Sequence, residues 1–232
     1  MTNKRLQVST ILFLWLGLTG ILAQNNDAKT PVGAIVTDID GNIYHSVVIG
    51  TQTWMVEDLK TTRYRNGDLI DTTNRVELRP EEEITPKYQW ADSGTDGNMA
   101  TYGRLYTWYA ITDNRNVCPS DWHVPTDAEW TTLVNFLGGA NIAGGKLKGD
   151  STTRWKSPNT GATNESGFTA LPTGNHYKDH IPIGDLVHYW TATESLENKD
   201  LAWRWLLSSR NSIAHRGDCP KVCGWAVRCI RD

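Results

Sequence analysis

The sequence predicts an α+β fold in which small antiparallel sheets carry two helices and long loops. Three observations lead there. Apolar and polar residues alternate near both ends of the chain, as in "IYHSVVIG" (43–50) and "WRWLLSS" (203–209). Between them, "PTDAEWTTLVNFLGG" (125–139) has helical spacing and a complete helix start. Residues 138–189 are rich in Gly, Thr, Asn and Pro, with only scattered strand-like pieces such as Phe168–Leu171. Strands, then helices, then loops, then strands is the order of a helix layer on an antiparallel sheet.

The first 23 residues stand apart. Lys4 and Arg5 precede an apolar run from Ile11 to Leu22 that ends at the small Ala23, the pattern of a secretory signal peptide. Gln7, Ser9 and Thr10 leave the run short of the roughly 20 residues a membrane span needs, so no transmembrane segment is expected after signal cleavage. No cysteine follows the run, which argues against a lipid anchor. Residues 24–34 read as a polar, disordered lead-in, and 35–232 as one domain. The expected destination is secreted: periplasm, cell surface or beyond.

Within the domain, two strands are expected to meet at Asp40-Gly41, a two-residue hairpin signal, and the chain turns again at Gly50 towards Trp54-Met55-Val56. Residues 65–87 hold few large apolar side chains and the run Glu81–Glu83, and read as an exposed loop. "YGRLYTWYAI" (102–111) reads as a short helix with Leu105, Trp108 and Tyr109 inward. In the next helix, Thr126 and Glu129 form a capping box, and Trp130, Leu133, Val134 and Leu137 form the buried stripe. Capping accounts for Asp127 and Glu129, so neither these acids nor His123 is taken as catalytic. Gly138-Gly139 supplies the stop. "YWTATES", "WRWLLSS" and "GWAVRCIRD" close the domain as strands.

The 232-residue chain has a formal net charge of −3 and no basic stripe, which excludes an electrostatic nucleic-acid surface. Its four cysteines, Cys118, Cys219, Cys223 and Cys229, all follow the leader. An even number in an oxidising compartment favours two disulfides, and C-x3-C with one more cysteine six residues on is poor zinc spacing. Of the three connectivities, Cys118–Cys229 with Cys219–Cys223 is favoured. The first bond would close a loop of more than about 100 residues, worth up to ~4–5 kcal/mol in the chain-entropy model.

Six segments in order carry a resemblance: "VTDIDGNIYHSVVIGTQTWMVEDLKTTRY", "YGRLYTWYA", "CPSDWHVPTDAEW", "FTALPTGNHY", "YWTATES" and "WAVRCIRD". Together they resemble the Fibrobacter succinogenes major paralogous domain over about residues 35–232, a family of exported bacterial proteins. "WHVPTDAEW" and "WAVRC" are also similar to the helix and closing-strand motifs of formylglycine-generating enzymes. That resemblance implies a C-type-lectin-like fold, in which the chain ends meet in one small sheet and loops carry the binding surface. It supports Cys118–Cys229, because in that enzyme family a cysteine before the helix motif can pair with the one in the closing strand. It does not carry the enzyme activity over. The stretch matching the reactive cysteines, "WRWLLSSRNSIAHRG", contains none, and Cys219 and Cys223 lie downstream of it.

No hydrolase, zincin, phosphate-loop or dinucleotide signature appears. His176 and His180 have H-x3-H spacing but sit in a loop-like context, and nothing fixes the separation of Asp179 and Asp185 as an acid pair. Binding has more support. Most of the 11 Trp fall in strands or helices, and the loop exceptions are Trp155, Tyr177 and Tyr189. Aromatic rings beside Asn, Asp and His grip sugars by stacking and hydrogen bonding, and suit protein contacts equally. Trp155, Asn175, His176, Tyr177, Asp179 and His180 are therefore the candidate ligand residues. The calcium-lectin signatures "EPN", "QPD" and "WND" are absent. Asp92, Asp96 and Asn98 in "DSGTDGN" have calcium-like spacing without the downstream bidentate Glu, so no cofactor is assigned and calcium is the one ion left open. The expectation is an exported, non-enzymatic module that recognises a glycan or a surface protein. A purely structural or adhesive surface protein is the alternative, and a divergent relative of formylglycine-generating enzymes the more remote one.

Overall fold

A computed structural model of the chain describes residues 33–72, 85–90, 96–151, 153–177 and 179–232. The leader, the lead-in up to residue 32 and the Glu81–Glu83 run lie outside the described residues. Strands β1 (Val36–Thr37) and β2 (Ile43–Tyr44) form the first antiparallel hairpin. Asp38 organises its turn. The carboxylate accepts from the backbone N–H of Asp40 at 3.0 Å and of Asn42 at 2.9 Å, and from the Tyr44 hydroxyl at 2.6 Å. β3 (Ser46–Ile49) and β4 (Gln52–Met55) follow as a second hairpin around Gly50, whose φ of +62° is left-handed.

β5 (Asp71–Thr72), β6 (Lys87–Trp90) and β7 (Arg104–Tyr106) make a three-stranded sheet in which β5 and β6 run parallel. Helix α1 (Asp96–Tyr102) precedes β7, and α2 (Trp108–Ile111) follows it. The single helix expected over 102–111 is thus a strand and then one helical turn. Gly103, at φ +71°, breaks the helix, and a side chain there would meet the Leu59 carbonyl at 2.8 Å. Tyr106 and Trp225 then exchange backbone hydrogen bonds of 2.9 and 3.1 Å, which hold the segment extended.

β8 (Trp122–His123) leads into α3 (Asp127–Phe136), whose capping box is complete: Thr126 Oγ1 accepts from the Glu129 N–H, and Glu129 accepts from the Thr126 N–H at 2.7 Å. Gly138 and Gly139, at φ +99° and +93°, end α3 as expected, and Gly139 also caps a helix that was not foreseen, α4 (Ala140–Leu147). Gly144 and Gly145 disguise it as loop. A side chain at Gly144 would meet the Ile213 carbonyl at 2.5 Å, and one at Gly145 the Gly161 carbonyl at 2.3 Å, so this helix needs glycines where other backbone crosses it. The described residues therefore hold four helices, two more than expected.

β9 (Asn175–Tyr177) and β10 (Asp179–Ile181) form a short ribbon. β11 (Leu186–Glu194), β12 (Leu201–Ser208) and β13 (His215–Pro220) form an antiparallel sheet, and β14 (Ile230–Arg231) ends the chain between β4 and β8 in the order β3-β4-β14-β8. The fold is α+β, built of small, mostly antiparallel sheets. β13 was missed because "HRGDCP" has no apolar alternation: at the sheet edge, none of its residues is buried.

The core is aromatic. Trp130 stacks on Trp205 at 6.1 Å and meets the edges of Trp54 and Phe168 at 5.1 and 5.6 Å, with Tyr189 at 5.3 Å. Two charges are sealed beside it. Arg228 donates from Nε to Asp58 Oδ1 at 2.8 Å and from Nη1 to the Phe168 carbonyl, and its guanidinium lies 4.1 Å from the Phe168 ring. Lys148, with no exposed surface, gives one proton each to the carbonyls of Thr160, Ser208 and Asn211 at 3.0, 2.8 and 2.9 Å. Burial pushes its pKa down to about 8, which still leaves it an ammonium at neutral pH. Cys118 and Cys229, both buried, are disulfide-bonded across a sequence separation of 111.

Candidate functional site

The segment expected to bind ligand is a ribbon on a rigid base. Pro172, Thr173 and Gly174 are buried. The Gly174 N–H donates to the Leu186 carbonyl at 2.9 Å, and that of Gly184 to Pro172 at 3.1 Å, with both glycines at positive φ. Between these clamps β9 and β10 pair in the register Asn175 with Ile181, His176 with His180, and Tyr177 with Asp179. The side chains of these six residues lie outside the described part. Four of the candidates from loop 174–189 thus become two facing pairs of a hairpin, with Asn175 at its foot.

Trp155 does not join them. It is 1 % exposed, donates its indole N–H to the Ala170 carbonyl at 2.9 Å, and lies 5.5 Å from the Lys148 ammonium. Tyr189 is fully buried in β11 within the aromatic core. Both are core residues: Trp155 does lie in a loop but is buried, which corrects its reading as a ligand residue, and Tyr189 is a strand residue rather than a loop aromatic. The Gly- and Thr-rich segment around Trp155 is itself packed down: Gly149 N–H donates to Ala170 and Thr160 N–H to Ser209. Asp185 pairs with Lys156 at 2.5 Å. Asp92 lies outside the described residues, and Asp96 and Asn98 belong to α1. Among the described residues no three His, Cys, Asp or Glu side chains are grouped to hold a metal.

Other titratable groups that the sequence offered serve the fold. His123 bridges Glu129 at 2.9 Å and Asp232 at 2.5 Å. Asp127 does more than favour its helix dipole. Its carboxylate accepts from Trp205 Nε1 at 3.2 Å and Arg216 Nε at 2.9 Å, tying α3 to β12 and β13, while the Arg216 guanidinium lies 3.4 Å over the Trp203 ring. A groove of about 360 Å³ beside Phe136 contains only the already paired Lys146 and Glu165 as charges.

One cluster is different, and sequence reasoning missed most of it. Seven buried side-chain polar atoms among the described residues lack a hydrogen bond, and four of them lie on or beside the β11-β12-β13 sheet: Arg204 Nε and Nη1, His188 Nδ1 and Trp225 Nε1. His188 stacks on Trp225 with ring centroids 4.1 Å apart. Burial first, then the charges of Arg204 and His215, push His188 well below its ordinary pKa, so it is neutral. Arg204 pairs in register with Gly217, and its guanidinium lies against that glycine, where an added Cβ would be in ordinary contact at 3.4 Å. Cys219 ends this arrangement on β13, with Cys223 one turn on, where its N–H donates to Pro220. Their sulfurs are 3.1 Å apart and not bonded, so the expected Cys219–Cys223 disulfide is not formed here. The sequence signalled the cysteines by spacing, but Arg204 and His188 are ordinary members of alternating strands.

The profile of the Fibrobacter succinogenes major domain matches residues 47–231, most of the chain. The chain belongs to this family. The Fibrobacter succinogenes major domain here runs from β3 to β14 and includes the ribbon, the disulfide and the thiol cluster, while the β1-β2 hairpin precedes it. Comparison with curated proteins and with solved structures finds no match. No helix among the described residues is long and apolar enough to cross a membrane.

Proposed function

We propose that this domain is an exported, non-enzymatic recognition module that binds a glycan, with a surface protein as the second class of partner, through the β9-β10 ribbon. The observation that carries this reading is the mounting of the ribbon. A seven-residue hairpin, 175–181, whose sequence contains two His, a Tyr, an Asn and an Asp, is clamped at both feet to a buried base, so ordering it costs little when a ligand arrives. Two further facts support the reading. Four of the acids and histidines that a hydrolase could use, His123, Asp127, Asp58 and Asp185, are held in structural pairs. Export agrees with the leader pattern and with a disulfide inside the core. The C-type-lectin-like fold stays part of the proposal.

The test is a glycan-array screen of the mature, disulfide-bonded domain with and without calcium. A single sugar class should bind, and Tyr177→Ala should abolish that binding with an unchanged melting temperature. A blank array on folded protein sinks the glycan reading and moves the search to protein partners. Binding that survives Tyr177→Ala removes the ribbon from the site.

A further inference from the structure

The thiol cluster asks for its own explanation. Leaving a buried donor without an acceptor costs on the order of 1–3 kcal/mol, and an unpaired buried charge costs more. Arg204 leaves two N–H groups unmatched and Trp225 one, in the part of the sheet where two cysteine sulfurs approach to 3.1 Å. The donors lack an anion, and a thiolate at this place is an anion.

We propose that Cys219 and Cys223 are a redox-active dithiol that exchanges with external disulfides, Cys219 attacking, Cys223 resolving, and Arg204 and Trp225 stabilising the attacking thiolate. The assignment of roles follows from exposure. Cys219 is partly exposed on edge strand β13, whereas Cys223 is 1 % exposed. The electrostatics agree: the hydrogen bond from Cys223, then the Trp225 indole and the Arg204 guanidinium, hold the Cys219 thiol below its ordinary pKa against the effects of burial and Asp218. Burial first, then Cys219, push Cys223 up. A partly exposed thiol held below its ordinary pKa beside a buried thiol pushed above its own is the division of labour that exchange requires.

The step balances as follows. The Cys219 thiolate attacks one sulfur of an external disulfide, breaking that S–S bond and expelling one thiolate. The Cys223 thiol then gives its proton to solvent and attacks the Cys219 sulfur, forming the Cys219–Cys223 bond and expelling the second thiolate. Two electrons pass from the dithiol to the external disulfide. This pair is independent of whatever the ribbon binds.

Wild-type protein equilibrated in glutathione buffers, acid-quenched and alkylated, should show Cys219 and Cys223 moving together between thiol and disulfide in buffers that leave Cys118–Cys229 oxidised. Peptide mass spectrometry reads this without any variant. In Cys223→Ser, oxidised glutathione or a disulfide-bonded peptide should become trapped on Cys219, and the faster of the two names the kind of partner. Arg204→Gln should slow that capture about tenfold at neutral pH, because it removes the positive charge that supports the thiolate. Capture with neither disulfide, a Cys219–Cys223 bond as resistant to reduction as Cys118–Cys229, or an unchanged rate in Arg204→Gln would each overturn the assignment.

Discussion

Arg228 is buried and Arg204 half-buried with two of its nitrogens sealed from water, and their surroundings are opposite. Arg228, 1 % exposed, reaches Asp58 with two of its nitrogens and a backbone carbonyl with the third, while aromatic faces cover it. Arg204 leaves Nε and Nη1 unmatched beside a thiol pair. The cysteines divide in the same way. Cys118 and Cys229 are bonded in the core, while Cys219 and Cys223 face each other unbonded near an edge. One region pairs its buried charges and bonds its sulfurs and so fixes the fold, whereas the other keeps donors and sulfurs in reserve. Buried polarity is most informative about chemistry where its partners are incomplete.

The largest effect should come from the bonded pair. Replacing Cys118 and Cys229 together by Ala frees a loop spanning a sequence separation of 111, and should lower stability by about 4–5 kcal/mol in the chain-entropy model. Urea midpoints of the double variant and the parent measure it. Oxidising the free Cys219 and Cys223 to a disulfide closes a loop of only a few residues and should raise stability by less than half as much, about 2 kcal/mol in the same model. Changes of comparable size from both would erase the distinction between the regions.

The two arginines come next. Asp58→Ala strands the Arg228 charge in the core and should cost about 3–5 kcal/mol. Arg204→Met, by contrast, removes a charge that has incomplete partners and should be close to neutral in chemical denaturation, because burial already works against that charge. If the Arg204 substitution costs as much as the Asp58 one, Arg204 is a structural tie.

How far the sequence disclosed this arrangement depends on whether the cause is local. The capping box at Thr126 and Glu129, the turn at Asp38–Gly41 and the glycine stop at 138–139 are set by neighbours along the chain, and all three were legible. The Asp38 side chain, however, takes over the turn that Asp40-Gly41 signalled. α4 was hidden because its glycines answer to backbone 16 and 69 residues further on, at Gly161 from Gly145 and at Ile213 from Gly144. Trp155 looked like a loop aromatic because no periodicity surrounds it, yet its indole is held by Ala170. The cluster around Cys219 was half visible: spacing marked the sulfurs, but only the β11-β12-β13 register brings Arg204 and His188 to them.

His123 lies between the two extremes, partly exposed and doubly partnered, and it gives the smallest effect. Burial opposes its charge, but the hydrogen bonds to Asp232 and Glu129 outweigh this and raise its pKa above the ordinary value. A raised folded-state pKa makes the protonated imidazole a stabilising group. That contribution is fully present below the unfolded value of about 6.5 and is lost as pH rises through the higher folded value. Glu129, its partner, is held below the ordinary carboxylate range despite its burial, by Thr126 and then by His123, so it remains charged throughout this window. The urea midpoint of the parent should therefore exceed that of His123→Gln at about pH 5.5, and the gap should narrow towards about pH 8.5. Solvent around the side chain keeps the gap well below that of Asp58→Ala. A gap that widens with rising pH would mean the ring works here as a neutral hydrogen-bonding spacer, and would move His123 to the side of the neutral His188.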